Sequence, residues 1–388
     1  MTKTPIYIIA DNIISSLGFT TKANVEQIAL EQTGVQCHND FSIYPNPIWV
    51  SKIETAALSN ASQQLEKPQN YSKLEQLFLL SILEAAKATE IDLSQEDTLI
   101  IIASTKGNID LLEHKNQGKF PSERVQLGTM AAQIQQYFNN PNTPLVVCNA
   151  CISGVLAMDV AKRLLRKKKY KNIIVTGGDL VTEFTVSGFQ SFKAMSDAPC
   201  KPYDKNRVGI NLGEGVGTVI LSTEQPLNTT NIVTIDGGAS SNDANHISGP
   251  SRTGDGLFLA IQKALKDANC TSDEIDYMSM HGTATPYNDE MESKAIALAN
   301  LQEVPLNSLK GYIGHTLGAA GLIESIIAVH ALKNNMLYRS LGFDELGVPK
   351  AINVIQKTST KPLNKCLKTA SGFGGCNAAM VFSKLPTK

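Results

Sequence analysis

The sequence changes character most clearly along residues 146–157, which read Val-Val-Cys-Asn-Ala-Cys-Ile-Ser-Gly-Val-Leu-Ala. The apolar, β-branched run from Pro144 to Val147 predicts a buried strand, and residues 154–165 predict a helix. Cys151 stands where strand becomes helix. Because backbone N–H groups at a helix start are unpaired and carry a partial positive charge, a thiol there should lose its proton more easily. We therefore interpret Cys151 as a candidate covalent nucleophile.

Two other interpretations of Cys151 stay open at this point. A free cysteine at a strand end is often a small buried hydrophobe, and the spacing Cys148-x-x-Cys151 also fits a redox pair that follows a strand. Cys148 continues the apolar run, so we expect it to be buried, which argues against the pair. A zinc site is not indicated, because Cys366 and Cys376 do not supply a second ligand pair at zinc-finger spacing.

Composition and charge exclude several classes of function. The 388 residues carry a formal net charge of -1, which gives no electrostatic case for binding nucleic acid or an anionic membrane. An odd number of cysteines, seven, is typical of a reducing compartment rather than of a disulfide framework. The apolar run from Ile6 to Ala10 is broken by Asp11, so neither a signal peptide nor a bilayer-spanning segment is predicted. We therefore expect a cytoplasmic protein.

The order of the predicted elements indicates an internal duplication, with one half at residues 1–225 and the other at residues 226–388. Each half opens and closes on a strand, and each contains a helix entry rich in small residues, which carries Cys151 in the first half and His315 in the second. Residues 34–47 predict an irregular loop, because Asn, Asp and Pro are scattered through them. Alternating strands and helices predict a layered α/β fold in which helices cover sheets.

Two histidines stand in settings that suggest catalysis. His281 ends a predicted strand and precedes Gly282, while His315 follows Gly314 and lies five residues after Lys310. In layered α/β folds, functional groups collect where strands end and helices begin, and a neighbouring glycine lets a substrate come close. A lone histidine more often has a structural role than a catalytic one. Two histidines that share this setting favour a catalytic role.

Six stretches of the chain occur in the order found in β-ketoacyl-[acyl carrier protein] synthases, the condensing enzymes of the thiolase superfamily. They are Asn149-Ala150-Cys151-Ile152-Ser153-Gly154, Cys200-Lys201-Pro202-Tyr203-Asp204, Gly213-Glu214-Gly215, His281-Gly282-Thr283-Ala284-Thr285-Pro286, Lys310 with Gly314-His315, and Gly372-Phe373-Gly374-Gly375-Cys376-Asn377. The chain thus resembles this family over nearly its whole length. The resemblance implies a thiolase-like, duplicated five-layer α/β/α/β/α fold, which agrees with the repeat.

The resemblance also implies a two-step reaction. Cys151 would take an acyl chain from a carrier-protein thioester, which splits the condensation into two easier steps. His281 and His315 would hydrogen-bond the thioester carbonyl of malonyl-carrier protein and stabilise the enolate that forms as CO2 leaves. The backbone N–H groups of Cys151 and Phe373 would form the oxyanion hole.

Supporting residues follow from the same resemblance. Lys310 would pair with Glu324, on the same helix as His315, and would fix that histidine. Phe373 would gate the acyl pocket, on a loop made mobile by Gly372 and Gly374.

The implied partners are acyl- and malonyl-loaded carrier proteins, with no cofactor, metal, nucleic acid or membrane. Carrier proteins are acidic, so basic residues should lie near the entrance, and Lys73, Lys201 and Arg207 match positions that can serve. Members of the family are commonly homodimers, and a heterodimer with a chain-length factor is possible.

The sequence also departs from the family pattern. Residues 107–127 look shorter than in the elongating synthases of fatty acid synthesis, and Ala284 and Cys376 replace the commoner Gly and Thr. These changes leave open a specialised ketosynthase of polyene, pigment or polyketide synthesis. A thiolase that uses coenzyme A would tend to have a second catalytic cysteine where this chain has two histidines. A non-catalytic chain-length subunit would typically lack the nucleophile.

Overall fold

A computed structural model describes residues 3–40, 43–226, 230–243 and 249–386. Its strands are β1 Tyr7–Ser15, β2 Val35–His38, β3 Ile48–Ser51, β4 Thr98–Ala103, β5 Leu145–Val147, β6 Asn172–Asp179, β7 Leu212–Gly213, β8 Gly215–Ser222, β9 Val233–Asn242, β10 Tyr277–Ser279, β11 Leu306–Asn307, β12 Met336–Leu337, β13 Ser359–Thr360, β14 Lys365–Gly372 and β15 Cys376–Lys384. Its α-helices are α1 Thr21–Ala29, α2 Thr55–Ala61, α3 Lys73–Ala86, α4 Leu127–Tyr137, α5 Ser153–Arg166, α6 Glu183–Ser191, α7 Asp255–Ala268, α8 Pro286–Leu298, α9 Lys310–Ile313 and α10 Ala320–Asn334.

The large sheet contains the same five-strand pattern twice. Its order is β11-β10-β14-β15-β9-β1-β8-β6-β4-β5, and the two patterns meet where Tyr7 pairs with Thr234 and Ile8 with Val233. Counted outward from that junction, the successive pairings in each half are antiparallel, antiparallel, parallel and parallel. The predicted duplication is therefore present in the topology.

Helices complete five layers. In one outer layer α3 packs on β1, β6 and β8, and in the other α7 packs on β9 and β15. Between the two five-strand halves of the large sheet, α5 and α10 pack against each other. Nearly every residue of α10 is buried, including Leu322, Ile323 and Ala328 on different sides, which fits a helix that is apolar all round. The predicted thiolase-like five-layer fold is confirmed, and the layers bring the starts of α5 and α10 together.

Two predictions about local structure are wrong. The predicted loop at residues 34–47 contains β2, which pairs with β3 in a small sheet that β7 completes. The strand predicted to be buried, β5, is one of the two edge strands of the large sheet. Leu145 in this strand is 40% exposed, and Cys148, just after it, is also exposed. Because β5 has a neighbour on one side only, its side chains are only partly buried, although Val146 and Val147 still pack against the hydrophobic cores. Because Cys148 is exposed, the expected burial no longer argues against a redox pair with Cys151. All seven cysteines are free in the structure.

The helices of the described residues do not include one that is both long enough and apolar enough to cross a bilayer.

Candidate active site

Cys151 lies in a tight turn between β5 and α5. Ala150, just before it, has a φ of +44°, a left-handed conformation that L-residues rarely adopt and that is held here by the surrounding structure. The Cys151 residue is 8% exposed. Gly154 is tightly enclosed: a Cβ there would lie 2.7 Å from the backbone nitrogen of Leu322. Gly154 lets α5 approach α10 closely.

The second half of the chain brings two imidazole rings to this sulfur. His315 Nε2 lies 3.0 Å from Cys151 Sγ, and the His281 and His315 rings meet edge to face with centroids 5.2 Å apart. One donor atom from each of the three side chains lies within 4.8 Å of the others. Both histidines are buried, at 2% and 1% exposure. The structure therefore brings together three residues that are far apart in the sequence.

Two acidic residues of α8 hold the turn that carries His281. Glu292 accepts hydrogen bonds from the backbone N–H of His281 at 2.9 Å and of Gly282 at 2.7 Å. Asp289 accepts from the backbone N–H of Thr283 at 3.0 Å. Ala284, in the same turn, has a φ of +59°, which explains why glycine would be the easier residue there. Glu292 was not among the residues predicted from the sequence. The spacing of Asp289 and Glu292, three residues apart near the start of α8, was a usable signal.

Three charged side chains form a buried group behind the histidines. Lys310 Nζ donates to Glu324 Oε1, and Lys368 Nζ lies 2.7 Å from Glu324 Oε2. All three are at most 1% exposed. Lys310 and Glu324 stood in the sequence prediction, but Lys368 did not, because in β14 it looked like an ordinary strand lysine. Burying two cations with one carboxylate leaves an excess of positive charge in the interior.

Burial changes the pKa of the nucleophile in the direction opposite to our prediction. Desolvation raises the pKa of the Cys151 thiol to about 12, and the nearby Cys376 adds to the rise, although Lys310 and a hydrogen bond from the Phe373 N–H oppose it. The first residue of α5 is Ser153, two positions further on, so loss of hydration outweighs the helix terminus. The resting thiol is therefore neutral and needs a base when it reacts.

The two histidines are shifted the other way. Desolvation lowers the pKa of His281 and of His315 well below 6.5, and the charges of Lys310 and Lys368 lower both further. Both rings are therefore neutral at physiological pH. A neutral imidazole can accept a proton at one nitrogen or donate one.

Phe373 lies at the mouth of this site within an aromatic group that the sequence did not reveal. Its ring stacks on Phe189 at 5.5 Å between centroids and meets Phe192 edge to face at 5.3 Å. The Phe189 ring also meets the His315 ring edge to face, with 6.3 Å between the ring centroids. A cavity of about 550 Å³ opens beside this group and reaches Cys151, His281 and His315. The cavity is large enough for an extended small-molecule group.

The two glycines beside Phe373 differ in their surroundings. A Cβ on Gly372 would lie 2.8 Å from Cys376 Sγ and 3.0 Å from the Cys151 nitrogen. Gly374 has a φ of +84° and open space around it. Gly372 therefore sets how closely the Phe373 loop approaches the nucleophile, whereas Gly374 supplies a backbone conformation that other residues adopt with difficulty.

We expect Gly372→Ala to lower the free energy of unfolding by about 1–3 kcal/mol, because the added methyl overpacks the contact with Cys151 and Cys376. Urea denaturation measures the change. Gly188→Ala, within α6, is the matched control: its Cβ meets nothing within 4 Å, so we expect no loss of stability. Equal effects of the two substitutions would contradict the tight contact at Gly372.

The three predicted docking residues have different surroundings. Lys73 Nζ pairs with Glu214 at 2.7 Å, and its side chain is 29% exposed. The Arg207 side chain is only 6% exposed and donates to the backbone oxygens of Asp204 and Gly347. Lys201 is partly exposed. Arg207 thus offers little accessible charge, and the docking role of all three stays a prediction.

Two family models match the chain. The one described as Beta-ketoacyl synthase, N-terminal domain, matches residues 62–226, and the one described as Beta-ketoacyl synthase, C-terminal domain, matches residues 232–344. Together they cover more than half of the chain.

Similar proteins extend over nearly the whole length. The 3-oxoacyl-[acyl-carrier-protein] synthase 2 of Vibrio cholerae is 25% identical, over 99% of this chain and 100% of the relative. A putative mitochondrial 3-oxoacyl-[acyl-carrier-protein] synthase of Schizosaccharomyces pombe is 29% identical, over 96% and 97%. Among solved structures, a ketosynthase from Xenorhabdus doucetiae, in complex with its chain length factor, is 23% identical with a TM-score of 0.87, covering 98% of both chains. A beta-ketoacyl synthase from Burkholderia phymatum is 21% identical with a TM-score of 0.88, covering 99% of this chain and 100% of the other.

Proposed function

Because the chain belongs to the β-ketoacyl synthase family, we propose that it is a β-ketoacyl-[acyl carrier protein] synthase, which joins an acyl group to a malonyl unit by decarboxylative Claisen condensation. The observation that carries this proposal is the 3.0 Å contact between Cys151 Sγ and His315 Nε2, with the His281 ring beside them in one cavity. Acyl transfer followed by decarboxylation needs a nucleophile and hydrogen-bonding groups that face the same space.

In the first half-reaction, Cys151 Sγ attacks the carbonyl carbon of an acyl thioester while the thiol proton passes to His315 Nε2. The N–H groups of Cys151 and Phe373 stabilise the negative charge on the carbonyl oxygen. The bond from the carbonyl carbon to the pantetheine sulfur then breaks, and His315 returns the proton to the leaving sulfur. The products are acyl-Cys151 and a free pantetheine thiol.

In the second half-reaction, the malonyl thioester loses CO2, and the electron pair of the broken C–C bond forms an enolate. His281 and His315 donate Nε2–H hydrogen bonds to the enolate oxygen. Neither Nδ1 has a hydrogen-bond partner among the described residues, so neither ring is held in one tautomer. The enolate carbon attacks the carbonyl carbon of acyl-Cys151, the bond from that carbon to the sulfur breaks, and the thiolate that leaves takes up one proton from solvent.

Acyl- and malonyl-loaded carrier proteins deliver the substrates in this proposal, and fatty acid elongation and specialised ketosynthase pathways both use the chemistry. The exposed edge of β5, with Leu145 and Cys148, supports a second subunit, either a copy of this chain or a chain-length factor. A non-catalytic role is disfavoured by the pairing of Cys151 with His315. The seven free cysteines support a cytoplasmic location.

The test is to incubate the purified protein with acyl-carrier protein and then with malonyl-carrier protein. We expect mass spectrometry to find the acyl group on the Cys151 peptide and then a β-ketoacyl-carrier protein. An active protein whose acyl group is attached elsewhere would overturn the assignment of the nucleophile. A protein that forms neither species, alone or with a co-purified second subunit, would overturn the proposed function.

The pKa shifts predict an unusual pH dependence. Because the pKa values of His281 and His315 lie well below 6.5, both rings stay neutral as the pH falls through that value. We expect decarboxylation of malonyl-carrier protein to keep its rate from pH 8 to pH 6 and to fall only at lower pH. A midpoint near pH 6.5, as for an exposed histidine, would contradict the predicted shift.

A further inference from the structure

Lys368 is a fully buried lysine in β14, a position where strand packing alone would favour an apolar side chain. Its side chain is 0% exposed, and it stands on β14 opposite Ser279 of β10 in the parallel pair. The ammonium group has three N–H donors, and three oxygens lie within reach: Ser279 O at 3.2 Å, Met280 O at 3.3 Å and Glu324 Oε2 at 2.7 Å. Lys368 therefore has two backbone hydrogen bonds and one ion pair, which let it stay charged although burial lowers the pKa of its ammonium group.

The three oxygens belong to the supports of two different histidines. Ser279 and Met280 directly precede His281, whereas Glu324 lies on α10, which begins shortly after His315. Glu324 also pairs with Lys310. One side chain thus connects the backbone that carries His281 with the charged group behind His315.

Resting on the proposed function, we infer that Lys368 is a positioning residue of the condensation reaction: it ties the two histidine loops together and, as the second cation on Glu324, keeps both imidazoles unprotonated. Lys310 alone would balance Glu324 to a net charge of zero. With Lys368 the group is net positive, and a positive potential disfavours the imidazolium form.

The titratable and charged groups that face the two rings come from several elements. They are Cys151 before α5, Asp289 and Glu292 on α8, Lys310 on α9, Glu324 on α10 and Lys368 on β14. Lys310 and Lys368 act on both rings in the direction that favours the neutral form. Glu292 accepts from the backbone N–H of His281, and a negative charge there would act in the opposite direction, toward the imidazolium form. Removing one lysine should therefore make protonation easier at both rings.

The test compares two substitutions at Lys368 with a matched buried lysine elsewhere. Lys368→Met removes both the charge and the donors, whereas Lys368→Gln removes the charge and keeps N–H donors for the two carbonyl oxygens. The control is Lys162→Met: Lys162 is 1% exposed and ion-paired with Asp159 and Asp267, and these partners do not contact either histidine. All three variants lose a buried ammonium group, but only two of them lose it behind the histidines.

Two measurements separate this inference from the proposed function. The first is NMR titration of histidine labelled with 13C at Cε1, which reports the pKa of His281 and His315 without any substrate. The second is the pH profile of malonyl-carrier protein decarboxylation. For both Lys368 variants we expect the histidine pKa values and the acid limb of the profile to rise by about one to three pH units, the range over which one nearby charge shifts a pKa. Lys162→Met should leave both where they are in the unsubstituted protein.

Each outcome has a definite meaning. Folded Lys368 variants with unchanged histidine pKa values would overturn the inference. If both Lys368 variants fail to fold while Lys162→Met folds, Lys368 is a structural residue and the inference is also overturned. If the unsubstituted protein does not decarboxylate malonyl-carrier protein, the proposed function fails, although the NMR shift can still be observed.

Discussion

Cys151→Ala is expected to abolish acyl loading and to lower the rate of condensation by a factor on the order of 10⁴ or more, since the covalent route is lost. The expected result follows from geometry: the Cys151 sulfur lies 3.0 Å from His315 Nε2, and Cys151 lines the cavity that both histidines reach. Intact-protein mass spectrometry after incubation with acyl-carrier protein measures loading, and circular dichroism checks the fold.

Cys148→Ser is the control for this substitution. Cys148 is exposed at the end of β5, and its sulfur makes a hydrogen bond only to the backbone oxygen of Thr105, at 3.8 Å, among the bonds of the described residues. We expect the variant to load acyl groups at nearly the normal rate. Equal damage from both substitutions would favour the redox pair over the nucleophile.

The second large effect is expected at the two histidines, and the geometry predicts that they differ. His315→Ala should slow loading and decarboxylation by factors of about 10² to 10³ each, because His315 contacts the sulfur and also faces the enolate. His281→Ala should slow decarboxylation by a similar factor but leave loading within a few-fold. Rapid-quench measurement of acyl-enzyme formation and a CO2-release assay report the two steps separately.

Glutamine replacements sharpen this test. An amide can donate a hydrogen bond, but it cannot take up the thiol proton. His281→Gln should therefore recover part of the decarboxylation rate, whereas His315→Gln should recover decarboxylation without recovering loading. If His281→Ala slows loading as much as His315→Ala does, the division of roles is wrong.

The fold was predictable from the sequence because the repeat places chemically similar helix entries at Cys151 and His315. Burial was harder to predict. The run ending at Val147 looks like a core strand, yet β5 has a neighbour on one side only, which no local pattern reveals. The rise in the Cys151 pKa also depends on tertiary packing, because it comes from loss of water and not from the local turn.

The site was only partly predictable for a related reason. His281 and His315 are marked by adjacent glycines, and Lys310 and Glu324 follow from the family resemblance. Lys368 has no local mark, because its importance arises from the register that sets it opposite Ser279. Phe189 lies on α6 among residues of ordinary composition, and only the folded chain brings its ring against Phe373.

The packing of α5 against α10 has a consequence for the folding chain. The sulfur is supplied by one repeat and the imidazoles by the other, so a molecule in which one repeat is still unfolded has no proton acceptor beside Cys151. Such a molecule should keep only the background reactivity of an exposed cysteine, because hydration restores the ordinary thiol pKa but the assisting base is missing. Base-assisted acyl transfer would therefore appear in the same cooperative step that closes the middle layer.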